Sequence, residues 1–271
     1  MTTCNWARHR VSSRRTLAVA SGQSVTEART MNSKRTRVQP VFGWLRQHAG
    51  SDWPATLLRL ATGLAIEINP GPLVSANFTK EITVPASPTR LAWMIRNSHR
   101  LVPQDGRRWK EYRQRVTENP KLADTLAALD SGQRDGLPKK LVLEGKTHCD
   151  CLLECERAVI WVEGKRNDWL APNTKWDVTR DQLARNLEAC WLLTRQKQKQ
   201  YCLLVCHEHA LKYHEELLIA GYRTGTWVGG WPHLDETTRQ ELGKRIATLT
   251  WSQIAAEWPG LRECRELIDL D

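Results

Sequence analysis

The chain has 271 residues, of which 41% are hydrophobic and 26% are charged, and its formal net charge is +10. A chain of this length can bury one large core, or one core with an appendage. No stretch of about 18 apolar residues occurs, which excludes a transmembrane helix, and the N-terminus lacks the apolar core of a secretory signal. We therefore expect a cytoplasmic protein that does not associate with membranes.

The first 37 residues predict a disordered basic tail. Residues 1–40 hold eight Lys or Arg but only one acidic residue, Glu27, so the remaining body is only slightly basic. The high net charge therefore describes the tail more than the body. The sequence leaves open whether translation begins at Met1 or at Met31.

Residues 38–100 predict an accessory region of helices and a strand. Asp52-Trp53-Pro54 and Ser87-Pro88 are typical helix starts. A turn at Asn69–Pro72 and a strand around Phe78–Val84 lie between them. This region shows no site signature.

Two helices are predicted next, from Asp105 to Thr117 and from Lys121 to Leu129. On the first helix, Trp109, Tyr112 and Val116 share one face.

Residues 141–206 contain the most informative stretch. Three apolar or alternating runs, at 141–144, 149–155 and 158–163, predict three strands, with Glu156-Arg157 as a hairpin turn between the last two. Alternation in the second run predicts that Asp150 points away from Cys149, Cys151 and Cys155. The third run is apolar on both faces, which is typical of a central buried strand. A helix with an apolar stripe and a strand at 200–206 follow; the stripe comprises Leu183, Leu187, Cys190, Trp191 and Thr194.

Charged residues stand at the ends of these strands. Glu163 and Lys165 leave the same face at the end of the third run, and Asp150 lies at the start of the second. If the two strands pair, the three side chains converge. Two carboxylates suit Mg²⁺ with water and phosphate as further ligands, and an ammonium stabilises charge on a phosphorus centre. The pattern predicts phosphodiester hydrolysis.

These residues resemble the PD-(D/E)XK nuclease superfamily, which has the restriction-endonuclease-like fold. Asp150 and Glu163-Gly164-Lys165 match its motif, and the strand, helix and strand order of residues 141–206 matches its core. The resemblance implies that Asp150 and Glu163 hold the metal and that Lys165 assists the attacking water. One position departs from the motif, because Cys149 stands where the family name has proline.

The resemblance also implies a glutamine or basic residue on the following helix, near metal or phosphate, and Gln182 and Arg185 are the candidates. Thr179-Arg180-Asp181-Gln182 equally fits a capping box, in which Gln182 only closes the helix start. Glu111 and Glu144 compete for the extra acidic residue that some family members carry.

The cysteines and histidines of the chain do not predict a zinc site. Cys149 and Cys151 lie within one predicted strand rather than on a knuckle, so buried free thiols in a reducing compartment explain them better. His207, His209 and His214 are expected to be solvated after a strand.

Residues 216–271 predict a C-terminal extension. It starts with a glycine- and tryptophan-rich loop, followed by helices around 235–248, 251–257 and 261–268.

The sequence therefore predicts an α/β protein with a restriction-endonuclease-like core at 101–215, a mixed central sheet flanked by helices, and helical additions at both ends. The predicted function is a Mg²⁺-dependent deoxyribonuclease of bacterial restriction, repair or defence type, with Mn²⁺ as a substitute metal. One alternative is an inactive nucleic-acid-binding or scaffold protein with the same fold. Another is an unrelated α/β protein in which Asp150 lies far from Glu163 and Lys165. The sequence does not decide between DNA and RNA, or between a monomer and a homodimer.

Overall fold

The structure, a computed structural model, describes residues 34–61, 69–79, 82–103, 106, 109–165, 170–171, 173–194, 199–214, 216, 219–224 and 230–263. All of them belong to one compact unit that spans residues 32–271. The predicted basic tail lies outside the described residues up to position 33. Residues 34–37, assigned to that tail by composition, instead begin a turn of π-helix, Lys34–Val38, in which Arg37 and Val38 are buried.

A five-stranded mixed sheet forms the centre of the fold. Its strands are β1 (Leu73–Asn77), β4 (Cys151–Cys155), β5 (Ala158–Gly164), β6 (Lys199–Cys206) and β7 (Ile246–Thr250), and they stand in that order. The pairs β1/β4 and β4/β5 are antiparallel, whereas β5/β6 and β6/β7 are parallel. Helices flank this sheet, so the predicted α/β class with a mixed central sheet is confirmed.

The sequence prediction of one strand over 149–155 is wrong at Asp150. The chain bends there, and two short strands, β2 (Ile82–Val84) and β3 (Thr147–Cys149), form a separate antiparallel pair. Cys149 consequently packs in a different core cluster from Cys151 and Cys155, although the alternation placed them together. The predicted strand at 141–144 is also absent: a short 3₁₀ turn, Lys139–Leu141, precedes an irregular segment there.

Both faces of the central sheet are buried. Alternate residues of β5, such as Ile160 and Trp161, enter opposite core clusters, as expected for a strand covered on both sides. One face is covered by α1 (Gln39–His48), α2 (Trp53–Leu60), α10 (Trp251–Glu257) and α11 (Gly260–Glu263). The other is covered by α6 (Gln182–Leu193), α7 (Glu208–His214), α8 (Ala220–Arg223) and α9 (Glu236–Gly243).

Three further helices form a core of their own. They are α3 (Pro88–Arg96), α4 (Trp109–Thr117) and α5 (Leu122–Asp130), which surround Leu91, Met94, Val116 and Leu129. The predicted Ser87 start of α3 is confirmed, because its hydroxyl accepts a hydrogen bond from the Arg90 amide at 3.0 Å.

The predicted helix over 235–248 is wrong in its second half. Only Glu236–Gly243 is helical, and residues 246–250 form strand β7, whose five residues are all buried. These residues pair with β6, so tertiary burial overrides the helical pattern. The predicted start of the next helix is confirmed by a capping box between Thr250 and Gln253.

No helix within the described ranges is long and apolar enough to cross a membrane. The described cysteines, all of them buried, carry free thiols as predicted; they are Cys149, Cys151, Cys155, Cys190, Cys202 and Cys206.

Candidate functional site

Strand pairing brings Asp150 to the end of β5. In the antiparallel β4/β5 pair Cys151 faces Val162, so Asp150, one residue before β4, lies level with the end of β5. Its Oδ2 accepts a hydrogen bond from the Gly164 amide at 3.1 Å. The predicted pairing of the two strands is confirmed. The unrelated-protein alternative requires Asp150 to lie far from Glu163 and Lys165, and the structure instead places it beside the residue between them.

The Asp150 carboxyl is unusually basic for an aspartate. Burial first, and then the nearby Glu163 carboxylate, raise its pKa to about 7 from an ordinary 3.8, although the Gly164 amide, Lys165 and Lys34 act in the opposite direction. Desolvation and a like charge both disfavour the ionised form. A raised pKa beside a second carboxylate marks a place where a bound cation would be favourable.

Glu163 is held from several sides. Its Oε1 accepts from Lys165 Nζ at 2.8 Å and from Gln182 Nε2 at 2.6 Å, and its Oε2 accepts from Asn186 Nδ2 at 2.8 Å. The residue is only 3% exposed. Three donors fix both the position and the orientation of a buried charge that would otherwise be costly.

Lys165 is anchored through its backbone as well as its side chain. Its amide donates to the Val205 carbonyl at 2.8 Å, and its carbonyl accepts from the Trp251 indole at 2.7 Å. These bonds fix the residue directly after β5, with the side chain 12% exposed. The backbone of Lys165 is therefore fixed, and its ammonium is held next to Glu163.

A second lysine reaches the site from the N-terminal π-helical turn. Lys34 Nζ donates to the Cys149 carbonyl at 3.1 Å, and its charge lowers the pKa of Asp150. The turn packs directly on the strand end, since a Cβ at Gly164 would lie 2.2 Å from Val38 Cγ2. Sequence reasoning missed Lys34, because nothing in a basic N-terminal segment indicates contact with residues more than 100 positions later.

The structure excludes one of the two interpretations of Gln182, the capping box. The cap of α6 is Asp181, whose side chain accepts from the Ala184 amide at 2.8 Å, so the capping box beginning at Thr179 is wrong. Gln182 instead bridges the site to the preceding loop: its Nε2 binds Glu163 and its Oε1 accepts from the Ala171 amide at 3.2 Å.

Arg185 and Glu144 lie in a neighbouring group of charges. Arg185 donates to the Lys146 carbonyl at 2.9 Å and keeps about a quarter of its side chain exposed. Glu144 accepts from Arg90 at 3.2 Å and from Arg180 at 3.0 Å, all three being buried. Its oxygens are therefore occupied by guanidinium groups.

That charged group extends beneath α6. Arg180 also binds Glu188 at 2.8 Å, and Glu188 contacts Ser87 at 2.7 Å and His233 at 3.1 Å. Arg180 holds the pKa of Glu188 well below its usual range despite burial. This network ties α3, the loop before α6 and the C-terminal region together, and it is structural rather than part of the carboxylate pair.

Glu111 lies on the exposed side of α4, where it pairs with Arg115 at 3.6 Å. Within the described part of the chain, no third His, Cys, Asp or Glu joins Asp150 and Glu163 as a group able to hold a metal ion. Neither Glu111 nor Glu144 therefore completes the pair.

His214, predicted to be solvated, is fully buried at the end of α7. Burial and the charge of Lys165 lower its pKa to about 4, so the imidazole is neutral at physiological pH. It therefore lies near enough to Lys165 to be affected by its charge, and it adds no charge of its own.

The donor set fits a hydrated divalent cation. Mg²⁺ typically takes one or two carboxylates and keeps several waters or phosphate oxygens. Asp150 and Glu163 supply the two carboxylates. Beside them the Oδ1 atom of Asn186 is buried with no hydrogen-bond partner among the described residues, an acceptor that a metal-bound water would satisfy.

Comparison with known proteins gives no relative: no family model, curated protein or solved structure matches the chain.

Proposed function

We propose that this protein is a metal-dependent nuclease of the PD-(D/E)XK type that hydrolyses DNA phosphodiester bonds. The observation that carries the proposal is the meeting of Asp150, Glu163 and Lys165 at the ends of two paired strands. The succession of the β4/β5 hairpin, α6 and the parallel strand β6 supports the resemblance to the restriction-endonuclease-like core, although the strand expected before them, at 141–144, is irregular.

In this proposal Asp150 and Glu163 hold Mg²⁺, or Mn²⁺ in its place. The bound ion would polarise a phosphate oxygen and acidify a water molecule. Because burial and the Glu163 charge raise the pKa of Asp150 to about 7 without metal, a proton competes with the metal for this carboxyl below about that pH. Gln182 and Asn186 keep Glu163 in one orientation throughout.

The two lysines supply positive charge on the protein side. Lys165, fixed through its backbone, stabilises the negative charge that develops on the phosphoryl oxygens and orients the attacking water. Lys34 lies on the Asp150 side and compensates the carboxylate pair. Arg185, partly exposed one turn along α6 from Gln182, is the proposed contact to a neighbouring phosphate.

A second candidate function is a nucleic-acid-binding protein whose site is inactive. One observation favours it: both oxygens of Glu163 already accept hydrogen bonds from protein donors. Such a carboxylate is stable without metal, as in a structural ion pair.

A cleavage assay separates the two functions. Supercoiled plasmid and single-stranded DNA would be incubated with purified protein and Mg²⁺, Mn²⁺ or EDTA. We expect cleavage only with metal, and a loss of roughly 10²- to 10⁴-fold in Asp150→Asn and Lys165→Met. Glu154→Gln is the matched control, since this carboxylate lies on the same hairpin but binds Ser75 at 3.0 Å, away from the site.

Calorimetric titration with Mn²⁺ completes the test. Asp150→Asn should lose metal binding, whereas Glu154→Gln should retain it. Cleavage that persists in EDTA, or in both site variants, would overturn the nuclease proposal. A wild-type protein that binds DNA but cuts no nucleic acid would instead establish the inactive binding function.

A further inference from the structure

An aromatic cleft lies between α4 and the loop that precedes α6. Its volume is about 260 Å³, and its lining includes Trp109, Glu111, Tyr112, Arg115, Lys175 and Trp176. This is smaller than the roughly 300–1,000 Å³ of pockets for drug-sized ligands, so it suits a single ring system with its attached group.

The aromatic side chains form a ladder of nearly parallel rings. Trp109 and Tyr112, three residues apart on α4, lie 5.3 Å apart with their planes 13° from parallel. Trp176 continues the stack at 4.3 Å from Tyr112, at 27°. All three are only half-buried, so part of each aromatic side chain remains accessible from the cleft.

Trp176 is held in place before any ligand arrives. Its loop is closed by hydrogen bonds between Thr174 and Asp177, and Asp177 is bound by the buried Arg90 at 2.7 Å. The charged network beneath α6 therefore fixes the end of the ladder. Such pre-organisation lowers the entropic cost of binding.

Positive charges flank the ladder. Lys175 Nζ lies 5.0 Å from the centre of the Trp176 ring, and the Arg113 guanidinium lies 4.8 Å from that of Trp109. Arg115 adds a third cation, and it pairs with Glu111, the one carboxylate among the described lining residues, at 3.6 Å. Stacking surfaces bordered by an excess of cations suit a flat ring that carries an anion.

The ladder also contains a polar group that its own packing leaves unsatisfied. The Tyr112 hydroxyl is buried and has no hydrogen-bond partner in the described structure. An unpaired buried hydroxyl costs stability. The arrangement is therefore better explained by a binding role than by stability alone.

We propose that this cleft binds one unpaired nucleobase, with its phosphate, of a single-stranded nucleic acid. A base in a duplex is already stacked on its neighbours and cannot enter, whereas an unpaired base offers a free face. The inference rests on the proposed nuclease function and deepens it: the substrate has a single-stranded segment beside the bond that is cut.

The position of Trp176 in the chain connects the cleft to the carboxylate pair. Trp176 stands six residues before Gln182, whose side chain binds Glu163. Six residues span at most roughly 22 Å between Cα atoms. A nucleotide in the cleft would therefore keep the next few phosphates within reach of the site.

The test is fluorescence anisotropy with a labelled 12-nucleotide single strand, in EDTA so that no cleavage occurs. Trp176→Ala should weaken binding by roughly 5- to 150-fold, the loss typical of one stacked base. Trp176→Phe should restore most of the affinity. Lys175→Ala should flatten the dependence of log affinity on log salt by about 0.7. The matched control is Trp191→Ala, since Trp191 is 37% exposed on α6 and does not line the cleft.

A second oligomer of equal length, with every base removed, tests whether the cleft recognises the base. It should bind wild type no better than it binds Trp176→Ala. Equal affinity of wild type for both oligomers would overturn the proposal. Unchanged oligonucleotide binding in a folded Trp176→Ala variant would also overturn it. So would tighter binding of wild type to a proline-rich peptide than to the oligonucleotide, measured in the same assay.

The two proposals fail in different ways. Metal-dependent cleavage that Trp176→Ala leaves unchanged would refute the cleft and keep the nuclease. Base-dependent binding by a protein that cuts no nucleic acid would keep the cleft and refute the nuclease.

Discussion

Replacing Asp150 by Asn should stabilise the metal-free protein while removing its proposed function. The neutral amide keeps an oxygen that can accept from the Gly164 amide, but it carries no charge next to Glu163. Because the Asp150 pKa is raised in the folded state, the folded protein binds this proton more tightly than the unfolded chain does. Stability from this group is thus greatest at low pH and declines as the pH rises from about 4 to about 7.

The size of the effect follows from the pKa of Asp150. The interval between 3.8 and about 7 corresponds to ~4 kcal/mol of unfolding free energy at pH 8, and to less than about 1 kcal/mol at pH 4. Asp150→Asn should recover most of this penalty at pH 8 and almost none at pH 4. In melting temperature the gain is about 2–4 °C per kcal/mol.

Urea unfolding in EDTA at pH 4, 6 and 8 measures this gain. Asp135→Asn, which changes an exposed aspartate, is the control and should show no such pH trend. Saturating Mg²⁺ should reduce the advantage of the variant, because metal stabilises only the wild-type fold. An Asp150→Asn variant that is less stable than wild type at pH 8, or equally changed at every pH, would refute the reasoning.

Three further predictions concern the surroundings of the site. Lys165→Met should raise the pKa of Asp150 further, because the ammonium of Lys165 acts to lower that pKa. The pH midpoint of Mn²⁺ binding, measured by calorimetry, should then rise, and an unchanged midpoint would contradict this. Arg180→Met should cost about 3–5 kcal/mol in urea unfolding, since it removes a guanidinium from both Glu144 and Glu188 and leaves excess negative charge buried. A cost below about 1 kcal/mol would count against a structural role of this network. Gly164→Ala should cost about 1–3 kcal/mol by clashing with Val38; Val38→Ala in the same chain should recover part of it, and strict additivity of the two changes would argue against their contact.

Local sequence patterns predicted the elements whose packing is periodic. The run from Ala158 to Val162 predicted a strand buried on both faces, and the structure places it at the centre of the sheet. The stripe from Leu183 to Cys190 predicted α6. In both cases the side-chain period matches the geometry of one element, so residues near in sequence carry the whole signal.

Long-range packing decided the elements that fill the sheet and the site. The sequence did not predict β1 as the neighbour of β4. The residues of β7 were predicted to be helical, but in the structure they form a buried strand that pairs in parallel with β6. The bend at Asp150, which separates β3 from β4, likewise results from the pairing of β3 with a distant strand. Partners at such separations leave no spacing in the chain from which they can be inferred.

The candidate site divides in the same way. The sequence by itself determined that Glu163 and Lys165 leave one face at the end of a buried strand, because alternation and strand length fix that position. Only the tertiary structure shows that Lys34 lies near the carboxylates. It also shows that Gln182 donates a hydrogen bond to Glu163, where the sequence equally fitted a helix cap. The physical reason is that local periodicity fixes the direction of a side chain, whereas its partner depends on how distant segments pack.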